Sequence, residues 1–475
     1  MRYRLDDDVR RQGGGRVLVG GSPLALMRLS ERGAGLVERL ERGEGGPWTA
    51  GERHLIDRLL DRGMAIPMPG LAPDAAGSAA LTVDDVTVVV PAFGRVESLR
   101  RCLGALRADP TSADRRILVV DDASPDGAEL AEVAGRWGSE VVRLESNRGP
   151  AAARNAGLAA VGTALVAFVD TDVEVGPDWL AWAVRWFADE GAVLVAPRVV
   201  SGGRGGVLAR YESSRSPLDL GVHQALVRAR SRVAYVPAAA LVVRVDALRD
   251  IGGFDESLRV GEDVDLCWRL AGGGGRCWYL GDESIVRHEH RPSLRAAARQ
   301  RFGYGTSAAA LDARHPGAVA PLGVSGWSVA AWGATAAGHP VLGAAVAAVT
   351  AAALERKLDQ LEPGTASGLA LRGHLGAGEL LARALLRPWW PITLAAALVS
   401  RRVRRVVIAA VLVPPLLEWR RRRPHLDPFR WTMFSMADDV AYSAGVWRGA
   451  WTMRSAGALV PEIRSWPGRR AGDAG

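Results

Sequence analysis

From residue 83 to about residue 310, short apolar runs rich in valine alternate with segments of helical pattern. The runs "VTVVV", "RILVV", "EVVRL" and "ALVAFVD" are typical of buried strands, whereas "VESLRRCLGALRAD" and "GPAAARNAGLAAVG" are typical of helices. Such alternation predicts a mostly parallel sheet with helices on both faces, in which ligands bind beyond the carboxyl ends of the strands. We therefore expect an α/β fold and look for a site at those strand ends.

The pattern changes on both sides of this region. A chain of 475 residues is too long for one core, so several domains are expected. Residues 1–70 contain short strands around "RVLVGG" and then helices, with Ser30 as an N-cap and Gly43 as a stop. The stretch from Met68 to Ala80 is rich in Pro, Gly and Ala and predicts a linker. We expect domains at 1–70 and 83–310, followed by a helical tail at 311–475.

Charge and cysteine content exclude several classes of protein. The formal net charge is +8, but Lys357 is the only lysine, and so many arginines beside abundant Ala and Gly indicate a coding bias rather than a nucleic-acid partner. The scattered residues Cys102, Cys267 and Cys277 form no Cys-x-x-Cys pair, which argues against a disulfide framework or a zinc site. The first residues also lack the apolar stretch of a signal peptide. We expect the cytoplasm, or the cytoplasmic face of the membrane.

Acidic residues follow two of the predicted strands. Asp121 and Asp122 come after "RILVV", and Asp170 and Asp172 end the "ALVAFVD" segment. Each cluster has an ordinary alternative, because Asp122 can cap the next helix and the second cluster can be a solvated turn. Carboxylates gathered at one sheet edge repel each other unless a cation lies among them. Oxygen ligands of this kind suit Mg²⁺ or Mn²⁺ bound to a diphosphate.

Five motifs occur in the order seen in family 2 glycosyltransferases of the GT-A fold, which this region resembles. They are the strand ending in "PAFG", then "VVDDASPD", "NRGPAAARNAG", "VDTDV" and "GGFDESLRVGEDVDLCWR". The resemblance implies a nucleotide-sugar site with a divalent metal, Mg²⁺ or Mn²⁺. The implied donor-binding residues are Pro91, Phe93, Asp122, Arg154, Asp170 and Arg301, and the implied metal ligands are Asp172 and His288.

The last motif carries the implied catalytic base. A sugar hydroxyl must lose a proton as it attacks the anomeric carbon, and a carboxylate in reach can accept it. The resemblance implies that Asp263 is this base, in a single displacement with inversion, and that the acceptor lies against Phe254, Asp255 and Glu262. Acids at a helix start also favour the helix dipole, which is the alternative explanation for this cluster.

The two ends of the chain narrow the resemblance. Residues 1–70 resemble small winged-helix modules that bind peptides, although amphipathic helices packed on their own core have the same pattern. With "RPWWPITLAAALVSRRVRR" and "ADDVAYSAGVWRGA" in the tail, the chain resembles the glycosyltransferases of the mycofactocin system. That implies transfer of β-1,4-linked glucose from UDP-glucose to a peptide-derived redox cofactor precursor. The alternative acceptor is a cell-envelope polysaccharide or glycolipid.

The tail also raises the question of a membrane. Residues 327–354 are long enough to span one but are mostly Ala and are interrupted at Gly338-His339-Pro340. Short apolar stretches beside arginine clusters at 401–405 and 420–423 favour an interfacial helix on an anionic membrane surface. Buried helices of a soluble domain are the alternative.

Two other classes of protein remain as competitors. A dinucleotide-dependent oxidoreductase predicts Gly-x-Gly-x-x-Gly after the first strand, where the chain has "VPAFGRVESL" instead. A peptide-binding scaffold without catalysis needs none of the three acids Asp170, Asp172 and Asp263, which argues against that class.

Overall fold

The computed structural model describes residues 1–70, 81–203, 205–291 and 293–464. Most of the predicted linker, residues 71–80, lies outside the described residues. The chain divides into two compact units. The first contains residues 1–205 and 215–290, and the second contains residues 206–214 and the chain from residue 291 onward.

The first 70 residues form a small module of strands and two helices. Ser30 caps the first helix by accepting a hydrogen bond from the backbone of Gly33, and Gly43 follows that helix with a positive φ of 72°, as the sequence predicts. Arg276 of the following domain joins Asp57 and Asp61 of the module to Asp189. The module thus belongs to the first unit. Its elements are β1 Arg2–Leu5, β2 Arg10–Gln12, β3 Val17–Gly20, β4 Ala25–Arg28, α1 Glu31–Glu41, α2 Ala50–Leu60 and β5 Ala65–Met68.

The next region forms the predicted α/β domain around an eight-stranded sheet. All four strands predicted from the apolar runs are present as β6, β7, β8 and β9, and α3 and α5 match the two predicted helices. In chain order the elements are β6 Val86–Ala92, α3 Val96–Ala108, β7 Ile117–Asp121, α4 Gly127–Arg136, β8 Glu140–Arg143, α5 Pro150–Ala159, β9 Leu165–Val169, β10 Val173–Val175, α6 Trp179–Arg185, β11 Ala192–Ala196, β12 Arg198–Ser201, α7 Val207–Arg215, β13 Ala225–Leu226, β14 Ala240–Arg244, α8 Val245–Asp250, α9 Glu262–Gly272, β15 Arg276–Tyr279 and β16 Ile285–His288.

The sheet has the order β13-β15-β11-β14-β9-β6-β7-β8. Strands β9, β6, β7 and β8 are parallel, as are β11 and β15. Strand β14 runs antiparallel between β9 and β11, and β13 pairs antiparallel with β15. The sheet is therefore more mixed than expected, but its parallel half brings the ends of β6, β7 and β9 to one edge. Three strands that follow β9 in the sequence form a second sheet, with the order β10-β16-β12.

The second unit is helical, as predicted for the tail, and also includes most of α7. Helices α10 and α17 approach until their backbones nearly touch, because a Cβ on Gly445 would lie 2.0 Å from the carbonyl oxygen of Phe302. The elements are α10 Leu294–Thr306, α11 Ala308–Arg314, β17 Gly323–Val324, α12 Gly326–Ala336, α13 Pro340–Lys357, α14 Thr365–Leu386, α15 Trp390–Val399, α16 Arg401–Arg422, α17 Pro428–Met453 and β18 Glu462–Ile463.

The apolar stretch at 327–354 does not form one continuous helix. Helix α12 ends at Ala336 and α13 begins at Pro340, with Gly338 at a positive φ of 92° between them. Across the described parts of the chain, no helix combines the length and the apolar character needed to cross a membrane.

Candidate active site

Four of the predicted donor-binding residues, Pro91, Phe93, Asp122 and Asp170, lie at the ends of strands β6, β7 and β9. Ala92, at the end of β6, pairs with Asp121 at the end of β7. The next residue after each strand is Phe93, whose side chain is 51% exposed, and Asp122, which is 4% exposed. Pro91 is half-buried. Phe93 therefore presents an open aromatic face beside a buried acid.

Asp122 holds the loop before helix α5. Its two carboxylate oxygens accept hydrogen bonds from the backbone N–H groups of Arg148, at 2.7 Å, and Gly149, at 2.8 Å. Gly149 has a φ of 96°, a conformation that favours glycine. Asp122 thus fixes the start of the "GPAAARNAG" helix, whatever further contact it makes with a ligand.

Arg154 connects two of the predicted acidic residues. The guanidinium, only 3% exposed, donates to Asp170 Oδ1 at 2.8 Å and to Glu262 Oε1 at 2.9 Å. It also lies over the ring of Phe254, 5.3 Å from the centroid. One buried cation therefore joins the end of β9 to the start of α9, where the predicted base lies.

Replacement of Arg154 by Met is expected to destabilise the fold by roughly 3 kcal/mol, because two carboxylates lose their buried partner. Arg154→Lys keeps the charge but not the two-armed geometry, so a smaller loss is expected. Chemical denaturation of both variants measures the free energy of unfolding. Equal stability of Arg154→Met and the wild type would contradict a structural role for the ion pairs of Arg154 with Asp170 and Glu262.

Asn155, the next residue, was not predicted as functional. Its amide donates to Phe254 O at 2.9 Å and accepts from Phe254 N at 2.9 Å. Asp255, half-buried, accepts bonds from the backbone and hydroxyl of Ser257. The loop that carries the predicted acceptor residues is thus tied to helix α5. The position of Asn155 inside "NRGPAAARNAG" was the signal that could have identified it.

Asp172 and His288, the two predicted metal ligands, lie in contact with each other. Strand β10 pairs with β16 so that Val173 is opposite His288. His288 Nε2 consequently lies 3.3 Å from Asp172 Oδ1. The described residues include no group of three or more His, Cys, Asp or Glu side chains arranged around a metal position. One carboxylate and one imidazole nevertheless fit a cation that takes its other ligands from a substrate diphosphate and water.

Arg95 also contacts Asp172 and was missed in the sequence. Its Nη1 donates to Asp172 Oδ2 at 2.6 Å, and its side chain is 49% exposed. Arg95 has a φ of 53°, which is uncommon for a residue with a side chain. The signal available in the sequence was an arginine directly after the "PAFG" turn. Arg95 places a half-exposed positive charge beside Asp172.

Asp263 lies in the first turn of α9, next to Glu262. Its Oδ1 accepts a hydrogen bond from the backbone of Val264 at 2.8 Å. Burial raises the pKa of Asp263 to about 7, and the neighbouring charge of Glu262 adds to this shift. A carboxyl that titrates near neutral pH is well matched to proton transfer. Asp265, by contrast, is buried and paired with Arg269 at 2.7 Å.

Arg301 belongs to the second unit. Within that unit it is 5% exposed, and its Nε donates to Asp438 Oδ1 at 3.2 Å while its Nη2 lies 3.6 Å from Glu212 Oε1. These two carboxylates neutralise the charge of the Arg301 guanidinium. The contact of Arg301 with a diphosphate stays a prediction.

Comparison with known proteins shows the family of the chain. The family model "Glycosyl transferase family 2" matches residues 87–252. Over 97% of both chains, the protein is 40% identical to the pre-mycofactocin glycosyltransferase of Mycobacterium tuberculosis. It is 28% identical to the glycosyltransferase AglE of Haloferax volcanii, over 47% of this chain and 73% of the relative.

Among solved structures, the mannosyltransferase PcManGT of Pyrobaculum calidifontis, in complex with GDP-Man and Mn2+, matches with a TM-score of 0.45 and 18% identity, over 80% of this chain and 91% of that one. The full-length match at 40% identity decides the family. The chain belongs to glycosyltransferase family 2 and, within it, to the family of the pre-mycofactocin glycosyltransferases.

Proposed function

We propose that the protein transfers glucose from UDP-glucose to the mycofactocin precursor, inverting the anomeric carbon and building a β-1,4-linked oligosaccharide. The observation that carries the chemistry is Asp263, a carboxyl whose pKa is raised to about 7 at the start of α9. The name of the full-length relative supports the acceptor. Glucose as the donor and the β-1,4 linkage follow from the same family resemblance.

Asp263 is the proposed general base. It accepts the proton of an acceptor hydroxyl while that oxygen attacks the anomeric carbon and the nucleoside diphosphate departs. Glu262, held by Arg154, raises the pKa of this carboxyl and lies beside it, where it can also bind the acceptor. Phe254 and Asp255 complete the proposed acceptor side.

The donor side is proposed along the strand ends. Phe93 stacks on the base with its exposed ring, beside Pro91. Asp122 is the proposed contact to the base, and Asp170 the proposed contact to the ribose. Asp170 is fixed by Arg154, which acts as a positioning residue because both of its outer nitrogens are already engaged.

A divalent cation, Mg²⁺ or Mn²⁺, is proposed at Asp172 and His288. When bound, it neutralises charge on the departing diphosphate. Arg95 holds Asp172 through one guanidinium nitrogen and is half-exposed, so its charge is available to the diphosphate at the same place.

Transfer is expected to rise with pH through about 7, because only the deprotonated form of Asp263 accepts a proton. Glu262→Gln removes the neighbouring negative charge that raises this pKa, so the rising limb is expected to move to lower pH. Single-turnover transfer measured between pH 5.5 and 8.5 checks both statements. If the rise in transfer occurs at the same pH in Glu262→Gln as in the wild type, Glu262 does not change the pKa of Asp263.

The function is tested with UDP-glucose and purified mycofactocin precursor, using mass spectrometry of the products. Addition of hexose to the precursor, with inverted linkage by NMR, is the expected result. Parallel reactions with an envelope polysaccharide and a glycolipid distinguish the alternative acceptors. Hexose found only on an envelope acceptor would overturn the proposed acceptor while leaving the chemistry of Asp263 intact.

A further inference from the structure

Helix α16 exposes one apolar stripe with arginines at both ends. The stripe follows spacings of three and four residues, so its members lie on one face of the helix. Ile408, Leu412 and Leu416 in its middle are 52%, 44% and 40% exposed, whereas Ala410, on the other side of the helix, is buried. Pro415, three residues after Leu412, is buried beside the stripe. The members of this stripe, in order, are Arg401, Arg405, Ile408, Leu412, Leu416 and Arg420.

Two helices that pack against α16 also expose large apolar side chains. Helix α15 packs against α16 and exposes Leu398 and Val399, at 74% and 88%. Helix α17 is joined to α16 where Trp431 Nε1 donates to Pro415 O at 2.9 Å. Near that contact, the side chain of Phe429 is 73% exposed. Large side chains exposed together in this way indicate an interaction surface.

The positive charge of the arginines at the start of α16 is unfavourable unless an anionic group lies nearby. Arg401, Arg402, Arg404 and Arg405 are exposed in the first turns, where the positive end of the helix dipole disfavours cations. Within the described ranges, none of the four forms an ion pair with a carboxylate. An anionic partner would neutralise them.

We infer that α15 and α16 bind the surface of an anionic lipid membrane, with α16 lying parallel to the membrane plane. The apolar middle of the stripe enters the boundary between head groups and acyl chains, and the arginines at both ends reach the phosphates. A second copy of the chain is a poorer occupant, because a symmetric contact brings the same arginine clusters together. This inference does not depend on the proposed acceptor.

Co-sedimentation of the full chain with vesicles tests the surface. Vesicles of phosphatidylcholine with phosphatidylglycerol are expected to bind the protein, and vesicles of phosphatidylcholine alone much more weakly. Replacing the four arginines 401, 402, 404 and 405 by Gln is expected to lower binding to the anionic vesicles by roughly 100-fold or more. Added salt weakens the wild-type binding in the same direction.

Leu412→Glu tests the apolar part, with an expected loss of roughly tenfold or more. Leu24→Glu is the matched control, because Leu24 is 64% exposed in the N-terminal module. Thermal unfolding followed by circular dichroism verifies that both variants fold. The inference is overturned if the wild type does not bind anionic vesicles, or if Leu24→Glu and Leu412→Glu lose the same amount of binding. It is also overturned if the only effect of Leu412→Glu is to convert a dimer of the protein into a monomer.

Discussion

Asp263→Asn is expected to slow the chemical step of sugar transfer by roughly 10²- to 10⁴-fold. The amide keeps the size of the side chain and can still accept the bond from Val264 N, but it cannot take up the hydroxyl proton. Affinity for UDP-glucose is expected to stay close to that of the wild type, because the proposed donor contacts come from other residues. Single-turnover transfer and donor binding, measured on one preparation, separate the two effects.

Asp265→Asn is the matched control for this variant. Asp265 is an acid of the same helix turn, but it is 1% exposed and paired with Arg269. Its replacement is expected to lower the free energy of unfolding while leaving the chemical step largely intact. If Asp263→Asn transfers sugar at the wild-type rate, Asp263 serves only the helix dipole and the proposed mechanism fails.

The strands and the edge of the sheet could be predicted from the sequence for a physical reason. Buried parallel strands need continuous apolar runs, and β6, β7 and β9 end at Ala92, Asp121 and Val169, within two residues of the ends of the runs "VTVVV", "RILVV" and "ALVAFVD". Parallel pairing then brings Asp122, which follows β7, and Asp170, which follows β9, to the same edge of the sheet on either side of β6. The contact between Asp172 and His288 was implied by the family resemblance alone, because it depends on the pairing of β10 with β16 across a long stretch of chain.

Pairings across long stretches of chain could not be predicted in this way. Strand β14 is as apolar as a parallel strand, so its antiparallel direction leaves no mark in its own residues. The hydrogen bond from Arg154 to Glu262 joins residues that are 108 positions apart in the sequence. Arg95 lies beside Asp172 because β6 and β9 pair, and neither residue alone indicates that contact. Such contacts depend on topology and not on local propensity.

The structure also changes how Arg154 is understood. A buried arginine with both outer nitrogens on carboxylates has little capacity left for a nucleotide, so its proposed role is to hold Asp170 and Glu262 at fixed positions. Preorganised polar groups of this kind lower the cost of reorganisation during a reaction. One side chain thereby joins Asp170, on the proposed donor side, to Glu262, on the proposed acceptor side.

Asp172→Ala is expected to reduce transfer by roughly 10³-fold or more and to weaken donor binding as well. The carboxylate is the only anionic member of the proposed metal pair, and His288 alone holds Mg²⁺ or Mn²⁺ poorly. Titration calorimetry with UDP-glucose, with and without Mn²⁺, measures the effect. The wild type is expected to bind more tightly with Mn²⁺, and the variant to lose most of that difference.

Glu174→Gln provides the control for Asp172→Ala, since Glu174 lies two residues further along and faces solvent beside Arg101 at 3.7 Å. Its replacement removes one negative charge from β10, the strand that begins directly after Asp172, without changing His288, so Mn²⁺-dependent binding should be kept. Asp172→Ala also frees Arg95 from its ion pair, and the released guanidinium can partly replace the missing cation at the diphosphate. The double variant Asp172→Ala with Arg95→Gln therefore isolates the metal contribution. If the single variant retains the full Mn²⁺ dependence, Asp172 is not a metal ligand and its role is to anchor Arg95.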